Sequence, residues 1–189
     1  MSQKQDHKVK LPVFLDRDGV INENRADYVK TPSEWKPYPG AIAAIASLRR
    51  AGHRIIIVTN QSGIGRGIYT AEDVDQIHDV LQAALQAAGV TDAAIYYCPH
   101  HPDDRCSCRK PETGMVDQAR LELNLPSGGW MIGDAESDME LGRRSGLETV
   151  LVLSGRGSTQ LDKITSENLP MPDHITDSVV SAAELILTP

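Results

Sequence analysis

Asp16 and Asp18 stand two residues apart in the segment FLDRDG, at the end of an apolar run. Side chains two apart share a side while the chain stays extended, so this pair would converge on one ligand. Carboxylates that close repel each other. Burial beside a divalent cation keeps one as an anion while the other can carry a proton. That division suits phosphoryl transfer: one carboxylate attacks phosphorus, and the other protonates the leaving alkoxide and later deprotonates water. Three further segments carry complementary groups. VTNQSG supplies Thr59, Asn60, Gln61 and Ser62, CRKP supplies Arg109 and Lys110, and IGDAESD supplies Asp134 with Asp138 beyond it. Asp134 offers another hard oxygen for Mg2+. Thr59 and Lys110 can neutralise the transferring phosphoryl oxygens, the main source of acceleration when the transition state is loose.

A second constellation lies just upstream of Lys110. All three cysteines of the chain fall in the window 98–108, as Cys98-x-His100-x5-Cys106-x-Cys108. In a reducing compartment such a cluster reads as metal ligands before disulfides. Three thiolates and one imidazole complete a tetrahedral zinc set with no open position, so the expected zinc is structural. His101 could replace His100, but the single-residue spacing on both sides favours His100. The expected loop, stapled at both ends, leads straight into Arg109 and Lys110.

These segments need a scaffold that brings them together. LPVFL (11–15), RIIIVT (54–59), AAIYYC (93–98), WMI (130–132) and TVLVL (149–153) read as strands. Between them AIAAIASLRR, TGMVDQARLEL and SDMELGRRSG read as helices, with a last helix near 178–187. A clearer helix starts at Thr70: Thr70 and Asp73 have capping-box spacing, Val74, Ile77, Leu81 and Leu85 make one face, and Gly89 ends it. This alternation predicts an α/β fold, a Rossmann-like, mostly parallel sheet with helices on both faces. Ligands of such sheets bind at the carboxyl ends of the strands, which is where all four chemical segments fall. The polar stretch 154–173 reads as a long surface connection.

Composition restricts the partners. The chain has 189 residues, a net charge of −7, 40% hydrophobic and 24% charged residues. That length suits one domain spanning 1–189, expected to work as a monomer. An acidic surface argues against general nucleic-acid or membrane binding and requires any anion site to be a local basic pocket. The polar start MSQKQDHKVK has no signal-peptide core, and no apolar run approaches membrane-spanning length, so a cytoplasmic location is expected.

FLDRDGV, VTNQSG, CRKP and IGDAESD, taken in order, resemble the four motifs of the haloacid-dehalogenase superfamily of phosphatases, over about residues 11–153. The resemblance implies Asp16 as nucleophile, Asp18 as acid/base, and Mg2+ held by Asp16, the Asp18 backbone carbonyl and Asp134. It gives Thr59, Asn60 and Lys110 phosphate-binding roles. Within that superfamily DRDGVIN, TNQSGIGRG, YYCPHHP and CSCRKPETGM are similar to the D-glycero-D-manno-heptose 1,7-bisphosphate 7-phosphatases. These make a nucleotide-heptose precursor of bacterial lipopolysaccharide and carry a zinc-stapled loop. The implied substrate is a small sugar bisphosphate, with Arg17, Asn24, Asp27, Gln61, Ser62 and Arg109 on the substrate side.

Two departures from that group bear on specificity: Ala135 follows Asp134 where some members carry lysine, and the five-residue spacer between His100 and Cys106 is short. The span 17–58 leaves no room for an inserted cap domain. Selectivity is therefore expected from three loops: Asn24 to Tyr28, residues 61–67 and the zinc loop. Arg66 among the glycines of the second loop suits either a second phosphate or simple solvation. Histidinol-phosphate phosphatases share DRDG, TNQ and a zinc loop. Polynucleotide 3′-phosphatases share the TNQxGIGRG pattern, but tracking a nucleic-acid backbone calls for distributed positive charge. A zinc-stapled interaction module without catalysis is the non-enzymatic alternative.

Overall fold

The computed structural model describes residues 10–188. The polar stretch 1–9, read above as lacking a signal-peptide core, lies outside them. Short β-branched runs form β1 (Val13–Leu15), β2 (Ile55–Asn60), β3 (Ala94–Cys98), β4 (Trp130–Gly133), β5 (Glu148–Val152) and β6 (His174–Thr176). Residues buried on both faces of a sheet favour Val, Ile and Leu without alternation, as IIIV of β2 shows. The strands pair in the order β3-β2-β1-β4-β5-β6, every pair parallel.

Parallel pairing requires crossovers, and among the described residues six helices supply them: α1 (Ala41–Arg50), α2 (Ser62–Gly65), α3 (Ala71–Ala87), α4 (Gly114–Leu123), α5 (Glu136–Arg144) and α6 (Gly157–Ser166); α7 (Val179–Leu187) follows the last strand. The start of α3 is the expected capping box. Thr70 Oγ1 accepts from the Asp73 amide at 3.2 Å, and the Asp73 carboxylate accepts from the Thr70 amide at 2.8 Å. Val74, Ile77, Leu81 and Leu85 are buried, and Gly89 leaves the helix at φ +88°.

Both faces of the sheet are covered. Val13, Leu15, Ile55 and Ile57 pack with residues of α1, α3 and α7. Phe14, Ile56, Val58 and Met131 face the opposite side, with Met115, Val116 and Ala119 of α4 and Leu141 of α5. Met139 is likewise buried, with Leu151 and Ile164. The connection from β1 to β2 carries a 3-10 turn at Pro32–Glu34 and α1, with no inserted sheet among the described residues. Trp35 and Tyr38 pack that connection: Trp35 Nε1 donates to Asn22 Oδ1 at 3.0 Å, and the Tyr38 hydroxyl accepts from the Gly155 amide at 3.2 Å. No helix among the described residues is long and apolar enough to cross a membrane.

The stretch 154–173 is not the surface connection expected from its polarity. It contains α6, and β6 follows at once. Leu161 and Ile164 supply the apolar contacts of α6 with Met139 and Leu151. Two apolar residues three apart are too few to announce a helix, and β6 is a three-residue edge strand.

Candidate active site

The strand order reverses between β1 and β4, since the chain moves outward through β2 and β3 before returning beside β1. A crevice opens at the carboxyl end of a sheet where neighbouring connections diverge in this way. Asp16 follows β1, Thr59 lies near the end of β2, and Asp134 follows β4. The Asp16 amide donates to Ile132 O at 2.9 Å, which continues the β1–β4 pairing to the site's edge. Beyond Asp16 the chain leaves the extended conformation. The chain bends at Arg17, so strand alternation alone does not explain why Asp16 and Asp18 share the cavity; Gly19 follows in a turn with φ +93°. A side chain at Gly19 would run into the Asp134 carboxylate.

Lys110 is the hub of the buried charges. Only 4% of it is exposed, and its Nζ lies 2.8 Å from Asp16 Oδ1, 2.7 Å from Asp138 Oδ1 and 3.0 Å from Val58 O. The ammonium thus donates to one carbonyl and pairs with two carboxylates. Asn60 fixes the lysine backbone: its Nδ2 donates to Lys110 O at 3.2 Å and its Oδ1 accepts from Lys110 N at 3.0 Å. Although burial opposes it, Asp138 and Asp16 raise the Lys110 pKa and keep the ammonium charged.

Asp16, Asp134 and Asp138 can each point one oxygen into a common space, all within 4.8 Å of one another. Burial raises the pKa of each carboxyl above its usual range; Lys110 opposes this at Asp16 and Asp138, and Arg156 opposes it at Asp134. Three buried acids against two cations leave an uncompensated negative charge. A hard divalent cation fits that donor set, because it would restore all three to carboxylates. Arg156 sits at the rim of this space, with Nη2 3.0 Å from Asp134 Oδ1 and its amide donating to Asp134 Oδ2 at 2.8 Å.

Asp18 is held from behind. Its carboxylate accepts from Arg17 Nε at 3.2 Å, Arg17 Nη2 at 2.9 Å, Asn22 Nδ2 at 2.8 Å and Gln61 Nε2 at 3.1 Å. Burial works against the anion, yet Arg17, Asn22 and Gln61 hold the carboxyl below its ordinary range. Arg17 and Gln61, expected on the substrate side, are therefore turned inward: they are 0% and 2% exposed and lie behind the carboxylate instead of lining the cavity. The third guanidinium contact is Arg17 Nη1 to His78 Nε2, at 3.1 Å. Gln61 is oriented by the Tyr69 hydroxyl, which donates to its Oε1 at 2.9 Å, and its Nε2 also donates to Thr59 Oγ1.

Above these groups lies a cavity of about 450 Å³ lined by Asp16, Asp18, Asn24, Arg25, Thr59, Asn60, Ser62, Arg66, Arg109, Lys110 and Arg156, among others. Five cations around one cavity, in a chain of net charge −7, form the local basic pocket that composition required. Asn24, Ser62 and Arg109 reach it as expected. Asp27 does not: it is exposed and pairs with Lys30 at 2.6 Å and Arg25 at 3.0 Å, which together draw its pKa down to about 2. Its pairing holds Arg25, and its own carboxylate stays outside the cavity.

Cys98, His100, Cys106 and Cys108 converge beside the lysine. Cys106 Sγ is 3.5 Å from Cys98 Sγ and 3.6 Å from Cys108 Sγ, and His100 Nδ1 is 3.2 Å from Cys108 Sγ and 3.5 Å from Cys98 Sγ. A tetrahedral zinc with bonds of about 2.3 Å to sulfur would space the sulfurs by about 3.7 Å, so the set fits that ion. Although burial opposes it, hydrogen bonds from Cys98 and the Arg109 backbone lower the Cys106 thiol to about 7. His101 is otherwise engaged, its Nδ1 accepting from the Asp103 amide in the turn at Pro102–Asp104. The residue 61–67 loop packs directly on this staple. Gly65 N donates to Pro99 O at 2.9 Å, and a side chain at Gly65 would meet the His101 backbone.

Four contributors had no assigned role in the sequence. Asp138 was visible only as the second acid of GDxxxD, whereas its contact with Lys110 is tertiary. His78 and Tyr69 lie on or beside α3, where nothing local points at Asp18. Arg156 follows β5 within four residues, so the strand-end rule that found the other segments would have found it.

Comparison with known proteins agrees with this geometry. A family model described as "Polynucleotide kinase 3 phosphatase" matches residues 13–140, and one described as HAD-hydrolase-like matches residues 107–182. The chain is 40% identical over 175 residues to a D-glycero-beta-D-manno-heptose-1,7-bisphosphate 7-phosphatase of Pseudomonas putida, covering 92% of this chain and 98% of that one. It is 36% identical to the protein of the same description from Neisseria meningitidis, covering 93% and 94%. Among solved structures, the D,D-heptose 1,7-bisphosphate phosphatase of Bordetella bronchiseptica, complexed with magnesium and phosphate, superposes with a TM-score of 0.85 at 37% identity, covering 94% of this chain and 98% of that one. The corresponding Burkholderia thailandensis structure gives 0.71 at 30%, covering 95% and 100%.

Proposed function

The chain belongs to the haloacid-dehalogenase-like phosphatases, and on that premise we propose that it removes the 7-phosphate of D-glycero-D-manno-heptose 1,7-bisphosphate. The observation that carries this reading is Lys110 held between Asp16 and Asp138 at the floor of a cavity walled by arginines. Asp16 is the nucleophile and forms an aspartyl phosphate. Asp18, two residues on, is an anion before substrate enters; the negative phosphate beside it favours uptake of a proton, which Asp18 then gives to the leaving sugar oxygen before accepting one from the attacking water. Lys110 and Thr59 hold the phosphoryl oxygens, and Asn60 fixes the Lys110 backbone. Mg2+, held by Asp16, Asp134 and the Asp18 backbone carbonyl, supplies charge neutralisation at the phosphoryl group when bound. Zinc in the Cys98, His100, Cys106 and Cys108 set is structural, since four protein donors leave it no open position.

Arg109 follows this staple directly, and its guanidinium suits polar groups further along the substrate, the 1-phosphate included. A cytoplasmic, monomeric enzyme fits this role in nucleotide-heptose synthesis. The match to the polynucleotide 3′-phosphatase family model favours a second reading, dephosphorylation of a nucleic-acid end. It is the weaker one, because the chain as a whole carries −7, whereas tracking a nucleic-acid backbone calls for distributed positive charge. Phosphorus NMR of the reaction with heptose 1,7-bisphosphate and Mg2+ tests the main reading. The 7-phosphate signal should disappear and the 1-phosphate persist. Loss of the 1-phosphate first would contradict the proposal.

A further inference from the structure

We propose that His78 is a positioning residue for proton transfer to the leaving group, acting through Arg17 on Asp18. The proposal rests on the phosphatase reading above and adds a role within it. Arg17 is completely buried, and among the described residues its guanidinium is shared between two side chains, Asp18 and His78. Nε and Nη2 grip both oxygens of Asp18, at 3.2 and 2.9 Å, while Nη1 meets His78 Nε2 at 3.1 Å. A guanidinium cannot accept a hydrogen bond, so His78 must be the neutral acceptor. Burial, with the Arg17 charge beside it, keeps the imidazole in that form by lowering its pKa to about 3.

The position of His78 is otherwise hard to explain. Its companions on the buried face of α3 are Val74, Ile77, Leu81 and Leu85, all aliphatic. A polar residue on such a face costs stability unless it satisfies a partner. That partner is Arg17 Nη1, and without His78 a buried N–H would lose its acceptor. The ring is steadied by Tyr97, whose centroid lies 5.5 Å away. His78 thus fixes the plane of the guanidinium, and the guanidinium fixes both oxygens of Asp18 at the cavity wall. A proton donor acts only within about 2.6–3.2 Å of the oxygen it serves, so a loosened fork should misplace Asp18 for leaving-group protonation.

The dependence on the leaving group separates this role from a merely structural one. An alkoxide needs a proton to depart, whereas p-nitrophenolate departs without one. kcat/KM reports the path through leaving-group departure and is measured for a primary alkyl phosphate and for p-nitrophenyl phosphate, with Mg2+. His78→Leu should lose about 10-fold or more on the alkyl ester beyond any loss on the aryl ester. His78→Gln, whose amide oxygen can accept from Nη1, should recover most of that selective loss. Equal losses on the two esters, or none, would overturn the proposal. Thermal melts show whether each variant is folded. Where His78→Leu is not, Arg17→Lys, which keeps the charge but loses the fork, carries the same expectation and the same overturning result. If the unaltered protein hydrolysed neither ester, the phosphatase reading itself would fall, and this role with it.

Discussion

Lys110 Nζ lies 2.8 Å from Asp16 Oδ1, and the chain reaches that point directly out of a loop whose ends, Cys98 and Cys108, both belong to one four-residue cluster. The staple and the Asn60 contacts decide where the lysine enters; Asp16 and Asp138 decide that it stays charged. Lys110→Ala should abolish turnover of every phosphate ester and leave two buried carboxylates unpaired. Breaking a buried pair costs about 3–5 kcal/mol, equivalent to a fall on the order of 10 °C in Tm for a chain of this size. Added Mg2+ should restore part of that stability. A Tm unchanged by the substitution would show that the cluster does not depend on the lysine.

Asp16→Asn should eliminate turnover while the fold persists, because an amide cannot attack phosphorus. Asp18→Asn should retain the nucleophile but lose the acid/base, a deficit of roughly 10² to 10⁴ in kcat. Trapping of phosphorylated protein from a good leaving group distinguishes the two: it is expected for Asp18→Asn and not for Asp16→Asn. Appreciable turnover by purified Asp16→Asn would refute covalent catalysis.

Elemental analysis of protein purified without chelator should find about one zinc per chain. Cys106→Ser should lower zinc content and reduce activity by freeing Arg109 and Lys110, although the reacting groups remain. Full activity restored to metal-free protein by zinc alone would contradict a structural assignment.

His78 gives stability a pH dependence of definite sign. Its pKa is about 3 in the folded chain against about 6.5 when unfolded. Between those values the unfolded state binds the proton and the folded state does not. The contribution is complete above about pH 6.5 and is lost as pH falls toward 3. Urea midpoints at pH 7 and pH 5 should therefore differ less in His78→Gln than in the unaltered protein. An identical difference in both would mean that the imidazole is already charged in the fold.

The sequence carried β1 to β5, the helices that cross between them and the four chemical segments, because each is local: an apolar run followed by polar groups at its end. Its limits are as specific. Alternation predicted that Asp16 and Asp18 would share a side, but β1 ends at Leu15 and the chain bends at Arg17, so their common cavity is set by that bend and not by strand geometry. Arg17 and Gln61 look like substrate ligands when only the motif is visible. Their partners, His78 and Tyr69, come from α3 and its approach, so burial behind Asp18 could not be read locally. α6 and β6 were missed for want of apolar residues, whereas Arg156, four residues past β5 at the rim of the acidic cluster, was legible from the strand end alone.

The most direct test of the account is kcat/KM, with Mg2+, for D-glycero-D-manno-heptose 1,7-bisphosphate beside histidinol phosphate and a 3′-phosphorylated oligonucleotide. The bisphosphate should lead, because Arg25, Arg66 and Arg109 around the cavity offer charge for a second anionic group that histidinol phosphate lacks. The oligonucleotide should be poorest, since a chain of net charge −7 is poorly suited to a polyanionic backbone. A lead of about tenfold for histidinol phosphate, equal to about 1.4 kcal/mol of transition-state preference, would place the chain in another branch of the same superfamily. A lead for the oligonucleotide would contradict the sugar-phosphatase assignment outright.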